Sequence, residues 1–157
     1  MNDQAQISVR QATLSDLEIL VPLFDAYRQF YRRPSDVELA RRFLRERFQN
    51  NQSIIFLAVC NHNSAAGFTQ LYPSYSSVSA ARILILNDLF VVPEARRKRV
   101  GSMLLAAAAR FGEEIGAVRL TLTTGVTNTH AQALYEAEGW IRQTGIYAYD
   151  LALTPTP

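Results

Sequence analysis

Cysteine and histidine are almost missing from this sequence: Cys60 is its one thiol, and His62 and His130 are its two imidazoles in 157 residues. A lone cysteine cannot close an internal disulfide, and three scattered soft ligands do not make a structural zinc site, so no disulfide framework and no metal are expected. Cys60 lies in an apolar run with no base beside it in sequence, which favours a small buried hydrophobe over an acyl carrier. Long hydrophobic runs are lacking too. Nothing approaches the roughly 18 apolar residues of a membrane span, and MNDQAQISVR has no basic start followed by an apolar stretch. A soluble, cytoplasmic protein with no membrane partner is the expectation. The seven glycines nowhere build GxxxxGK[ST] or GxGxxG, which removes most support for an ATP-type or dinucleotide site. Charge of one sign is also scarce: 16 basic against 14 acidic residues argue against a nucleic-acid partner, which would want a basic face carrying exposed aromatics.

What remains is an ordinary folded composition, 48% hydrophobic and 19% charged. A chain of 157 residues removes roughly 70% of its unfolded surface from water, enough for one core. A single domain over 1–157 is expected, with its core at about 6–153 and a frayed tail at 154–157. All basic residues except Lys98 are arginine, the side chain that suits planar contacts to phosphate or carboxylate.

Ile7 to Arg10 alternates like a short strand, and Leu17, Leu20, Val21, Phe24, Tyr27 and Tyr31 then follow helical spacing, with Thr13 or Ser15 as cap. Pro34 breaks this helix, and Ser35 with Glu38 reads as a capping box for a second one carrying Leu39, Phe43 and Phe48. Ile54 to Cys60, the turn NHNSAAG and Gly67 to Tyr72 read as an antiparallel hairpin, followed by a strand from Ile83 to Val92. Gly101 to Ile115 is predicted helical with Gly116 as its stop, Val118 to Thr124 a strand, NTHAQALYEAEGW a short helix, and the chain after Trp140 two further strands. The order β-α-α-β-β-β-α-β-α-β-β describes an α/β fold, a mixed and mostly antiparallel sheet flanked by helices.

Between the third strand of that hairpin region and the next helix stand Arg96, Arg97, Lys98 and Arg99. A helix N-terminus presents unpaired N–H groups and the positive end of its dipole, so a phosphate is held there without any particular side chain. The same four charges also fit a solvated turn. The segment LNDLFVVPEARRKRVGSMLL, with TNTHAQALYEAEGW after it, resembles the two central motifs of the GNAT superfamily of N-acetyltransferases, and the element order is similar to that fold along essentially the whole chain.

In that family the first motif is Gln or Arg, two residues, Gly, one residue, then Gly or Ala, matched here by Arg96, Arg99 and Gly101. The resemblance implies that the turn Arg96, Arg97, Lys98, Arg99, Val100, Gly101 and Ser102 binds the pyrophosphate of acetyl-coenzyme A through its amides. Arg99 stands where glycine is usual. As a first-turn helical residue it is expected to have negative φ, which any non-proline residue accepts, leaving its N–H available and its side chain free to add a phosphate contact. The resemblance also gives the backbone of Leu89, Phe90 and Val91 to the pantetheine arm, on a strand that splays from its neighbour. Those side chains read equally well as core.

Asn128 and Tyr135 are two helical turns apart and share a face if Asn128 is at the cap. By spacing alone they read as a cap and a core tyrosine. The resemblance implies that Asn128 hydrogen-bonds the cofactor and that Tyr135 protonates the departing thiolate. A phenol near pKa ~10 against a thiol near ~8.5 makes that transfer uphill by about 2 kcal/mol, so a modest catalytic contribution is expected. The amine must attack as the free base. Asp88, beside the presumed thioester, is the candidate to bind the ammonium or accept its proton through water, and a structural carboxylate is the competing reading.

The Asn87-Asp88 pair, the helix LFDAYRQFYRRPSD and DLFVVPEARRKRVG look most like the polyamine or diamine and the histone/polyamine acetyltransferase-related branch, in which a Glu-Asp pair is common; here Asn87 replaces the Glu. Tyr27, Phe30, Tyr31, Tyr72 and Tyr75 are candidates to line the acceptor pocket, where aromatic faces favour a cation. The expectation is an N-acetyltransferase that moves acetyl from acetyl-coenzyme A to a small polyamine-like or amino-acid-like primary amine in a ternary complex. A protein lysine or N-terminal acetyltransferase and a non-catalytic acyl-coenzyme A sensor are the other readings. The resemblance also implies a homodimer. His62 and His130 are assigned no role.

Overall fold

The computed structural model describes residues 6–60 and 64–155. His62 and its two neighbours in the NHNSAAG turn lie outside the described residues, as do the last two residues of the tail. The elements run β1 (Ser8–Gln11), α1 (Leu17–Phe30), α2 (Val37–Gln49), β2 (Ile54–Val59), β3 (Ala65–Ser76), β4 (Ala81–Val91), α3 (Val100–Glu114), β5 (Leu120–Thr121) and α4 (Thr129–Ala137), with 3-10 turns before α1 and after β4. The five strands lie in sequence order, antiparallel up to β4, with β5 parallel to it. This is an α/β arrangement, a mixed and mostly antiparallel sheet with helices on both faces.

The near-continuous apolar run of β2 is explained by helices on both sheet faces. Ile55, Leu57 and Val59 join α1 and α2 in one core, whereas Phe56 and Ala58 join α3 in the other. Leu57 pairs with Phe68 on the first face. On β4 the alternation breaks. Gln70 of β3 opposes Asp88, yet Leu71 opposes Leu86, so Asn87 is an extra residue, a β-bulge. Leu84 and Leu86 therefore face α3, while Asp88 and Phe90 face α1 and α2.

Polar contacts fix the helical layer of α1 and α2 over the first face. Arg10 grips Asp16 with two bonds of 2.7 and 2.8 Å, and Asp16 accepts the Thr13 N–H at 2.9 Å, tying β1 to the start of α1. Buried Asp25 accepts from the Ser35 hydroxyl at 2.6 Å, the Asp36 N–H at 2.8 Å and Gln29 at 3.0 Å, which locks the connector between α1 and α2. This changes the expected cap of α2. Ser35 is drawn to Asp25, and Asp36 caps the helix by accepting the Leu39 N–H at 2.9 Å. Gly116 (φ +70) and Gly139 (φ +86) follow α3 and α4 as left-handed stops.

Two expectations about strands differ from the structure. Only Leu120 and Thr121 of the stretch Val118–Thr124 join the ladder, because β5 and β4 part beyond the pair Ile85 and Thr121. No strand forms among the described residues after Trp140: Ile146, Tyr147, Tyr149, Leu151 and Leu153 are all more than 70% exposed. Their alternating pattern is that of a strand, but a strand needs a paired neighbour and this chain offers them none there.

Candidate active site

The basic turn opens onto α3 as the sequence suggests, with one correction. Arg99 is the N-cap residue and adopts φ 62, ψ 15, the left-handed region, rather than the negative φ of a first-turn residue. Arg97 is left-handed as well, at φ 63. An L-residue pays roughly 1 kcal/mol for that conformation, which explains why glycine suits position 99. No side chain caps α3, so the leading N–H groups at Val100, Gly101 and Ser102 have no capping acceptor. Arg96, Arg97, Lys98 and Arg99 are all exposed around them. Arg96 is partly committed, since its Nε donates to the Val91 carbonyl at 3.2 Å and ties the turn to β4.

Beside this helix end, β4 from Leu86 to Val91 continues without β5 at its flank. The notch left there runs past Leu89, Phe90 and Val91. Phe90 is 9% exposed and belongs to the α1/α2 core, so its side chain is structural while its backbone borders the notch. On the far side stands α4, docked where a Cβ on Gly101 would come within 2.9 Å of Leu134 Cδ2. That contact seats Asn128 and Tyr135. Asn128 Oδ1 caps α4 by accepting the Ala131 N–H at 3.3 Å, so the cap reading holds and its Nδ2 is the group left to meet a ligand. Tyr135 is half-buried, 6.0 Å from the Trp140 ring. Burial, with Tyr31 nearby, pushes its phenol above the ordinary 10.0, so it is held protonated.

A cavity of about 240 Å³ lies between α1, α2 and the sheet, lined by Phe24, Tyr27, Phe43, Tyr72 and Asp88 among others. Asp88 is 2% exposed. Gln70 Nε2 donates to its Oδ2 at 2.5 Å and Asn87 Nδ2 to its Oδ1 at 2.8 Å, while Ser53 donates to Gln70 at 2.8 Å. Burial raises the carboxyl above its usual 3.8, partly offset by the donors Gln70 and Asn87. Tyr27 donates to the Asn87 carbonyl at 3.2 Å. Its pKa is raised, first by burial and then by Asp88, with Tyr31 and Tyr135 contributing. Burial and Asp88 push Tyr72 up to about 12.

The tertiary structure thus brings Tyr27, Tyr72, Asn87 and Asp88 to one cavity, with Tyr31 and Tyr135 within electrostatic reach. Tyr31 is 52% exposed and packs edge-on against Tyr27 at 5.1 Å, at the rim. Tyr75, at 72% exposure, and Phe30, at 57%, are not cavity residues. Cys60 packs beside the α3 core as a hydrophobe, and His130 is exposed.

The acetyltransferase (GNAT) family description matches residues 20–140. The chain belongs to the GNAT family. It is 48% identical over 145 residues to an uncharacterized N-acetyltransferase, YhfO, of Bacillus subtilis strain 168, covering 92% of this chain and 97% of that one. It is 32% identical over 142 residues to a probable acetyltransferase of Haemophilus influenzae, covering 88% and 93%. Among solved structures, a probable acetyltransferase is 41% identical with a TM-score of 0.89, covering 95% of this chain and 99% of that one. An aminoglycoside N-acetyltransferase in complex with CoA shares the fold at 20% identity, TM-score 0.82, covering 98% and 99%.

The GNAT protein is an acetyl-coenzyme A-dependent N-acetyltransferase, and its residues fit that donor: an uncapped helix start ringed by arginines for phosphate, and an open strand edge leading toward the cavity. Sequence reasoning missed Phe24, Phe43 and Arg28 as cavity residues and Gln70 as the partner of Asp88. Phe24 and Arg28 share the helical spacing of Tyr27 and Tyr31, which was the available signal. The bulge that turns Asp88 toward them had none.

Proposed function

We propose that this acetyltransferase acetylates a small primary amine, polyamine-like or amino-acid-like, bound in the cavity beneath α1 and α2 and attacking directly in a ternary complex. The observation that carries the reading is the buried carboxylate of Asp88 in an aromatic cavity, with a protonated phenol, Tyr135, within electrostatic reach of the cavity residue Tyr27. The polyamine-related reading rests on the likeness of the Asn87-Asp88 strand and of α1 to that branch. The amino-acid-like reading rests on the small volume of the cavity, below the roughly 300–1,000 Å³ of drug-sized sites.

Acetyl-coenzyme A supplies an acetyl group activated as a thioester. Val100, Gly101 and Ser102 amides hold its phosphates, the Leu89 to Val91 edge lines its arm, and Asn128 Nδ2 adds a contact. Asp88 binds the acceptor ammonium and takes one proton, directly or through water, freeing the nitrogen lone pair; a carboxylate with raised pKa is the better base. As the C–N bond forms and the C–S bond breaks, the Tyr135 hydroxyl gives its proton to sulfur. The second nitrogen proton replaces it through solvent. One proton is released per acetyl amide and free thiol formed.

The test is thiol release from acetyl-coenzyme A over polyamines, diamines, amino acids, aminoglycosides and lysine peptides, comparing wild type with Tyr135→Phe. Turnover with one class, reduced in the variant, supports the reading. Thermal stabilisation by acetyl-coenzyme A with no acceptor consumed would overturn it.

We further propose a cytoplasmic homodimer. Its support is the exposed alternating segment Ile146–Leu153, which follows α4 and has the strand pattern that the open sheet edge at β5 lacks. Light scattering at micromolar concentration should give twice the 17.6 kDa chain mass, and truncation after Trp140 should return a monomer. A monomer mass for the full chain would refute it.

A further inference from the structure

The acceptor cavity carries a second charge that the proposed chemistry does not use. Arg28, one residue beyond Tyr27 on α1, lines the cavity together with Asp88, and its Nη1 is buried without a hydrogen-bond partner. The carboxylate nearest in sequence does not satisfy it. Asp25 spends its oxygens on Ser35, Asp36 and Gln29 and feels Arg28 only through space. A buried donor left unpaired is disfavoured, and one on a cavity wall is completed when a ligand brings the acceptor.

A second guanidinium strengthens the same field. Arg47 on α2 lies over the Phe43 ring at 4.4 Å, acts electrostatically on Tyr72, and keeps its Nε buried and unpartnered while its Nη2 reaches only the exposed Glu46 at 3.1 Å. Phe43 and Tyr72 are both cavity walls. Asp88 is the sole carboxylate among the described lining residues. The cavity lining therefore holds one anion and one guanidinium, with a second guanidinium stacked on its Phe43 ring. A polycation would set its additional ammonium groups against Arg28 and Arg47. A small amine bearing a carboxylate would match both ends.

We propose that the acceptor is a small amino acid-type molecule whose amine meets Asp88 and whose carboxylate is bound by Arg28. This rests on the acetyltransferase reading above and selects between its two acceptor classes. The planar fork of Arg28 suits a carboxylate through two parallel bonds, which a lysine cannot reproduce. Arg47 adds long-range attraction for the same group.

The experiment measures acetyl-coenzyme A-dependent thiol release with α- and ω-amino acids, with their carboxamides, and with diamines and polyamines of similar length, in wild type, Arg28→Gln and Arg28→Lys. Wild type should prefer an amino acid over its amide by about 10- to 100-fold in kcat/KM. Arg28→Gln should erase that preference, raising KM for the amino acid far more than KM for its amide. Arg28→Lys should restore only part of it. An unchanged thermal stabilisation of the variant by acetyl-coenzyme A shows that it is folded. Preference for polyamines or amides in wild type, or an Arg28→Gln loss that falls equally on acid and amide, overturns the inference and leaves the acetyltransferase reading standing. Failure of every amine in wild type, with acetyl-coenzyme A still bound, overturns both.

Discussion

Leu86 and Asp88 are two residues apart on β4 and face opposite sides of the sheet, Leu86 toward α3 and Asp88 into the cavity under α1 and α2. In a regular strand they would share a face. The bulge at Asn87 reverses the alternation. It also presents the Asn87 carbonyl to Tyr27 and the Asn87 amide to the Asp88 carboxylate. A buried carboxylate is thereby placed in the cavity proposed for the acceptor, with donors that favour its anionic form.

Asp88→Asn should lower kcat/KM at neutral pH by about 10²-fold or more, and the acid limb of the wild-type profile should disappear in the variant. A linked effect on stability has a definite sign. The folded carboxyl is raised above its unfolded value, so its stabilising contribution is full below the usual 3.8 and is lost as pH rises through the raised value. Asp16 and Asp25 are shifted down and contribute the opposite slope. Subtracting variant from wild-type denaturation curves across pH 3 to 8, about the range where carboxylates titrate, isolates Asp88; a variant slope identical to wild type would refute its burial as an anion.

Tyr135→Phe should reduce kcat by about 10²-fold without abolishing it, because solvent still supplies a proton to a thiolate. The KM for acetyl-coenzyme A should hold steady. Melting temperature should change little, since among the described residues none hydrogen-bonds the Tyr135 hydroxyl. A variant with unaltered kcat would remove Tyr135 from the reaction.

Gly67→Ala should be among the most damaging single-methyl changes. A Cβ there would lie 2.5 Å from the Phe90 carbonyl oxygen, a backbone atom that cannot rotate aside. Strands β3 and β4 must separate at Phe90 and Val91, costing about 1–3 kcal/mol and shifting the strand edge assigned to the pantetheine arm. Chemical denaturation should show the loss, and the KM for acetyl-coenzyme A should rise even at temperatures where the variant is folded.

Arg99→Gly should relieve the left-handed strain at φ 62 and raise stability by up to about 1 kcal/mol. Coenzyme A affinity should fall modestly and less so at high salt, since only one exposed charge of four is removed. A drop in stability would show that the Arg99 side chain holds the turn by a contact beyond its backbone.

Local rules in the sequence determined the elements that depend on near neighbours. The helical stripes of α1, α2 and α3, the apolar β2, the stops at Gly116 and Gly139 and the basic helix entry all follow from spacing within one segment. The paired motifs around Gly101 and Tyr135 were readable for the same reason, because each is short and contiguous. Tertiary structure decided what depends on a partner. Ser35 was drawn from its cap role to a buried Asp25, the described residues after Trp140 formed no strand without a neighbour, and Arg99 took the left-handed conformation at the entry to α3. It decided the cavity as well: an extra residue opposite β3 turned Asp88 toward Tyr27 and Arg28, and period-two alternation carries no mark of where a ladder will slip by one.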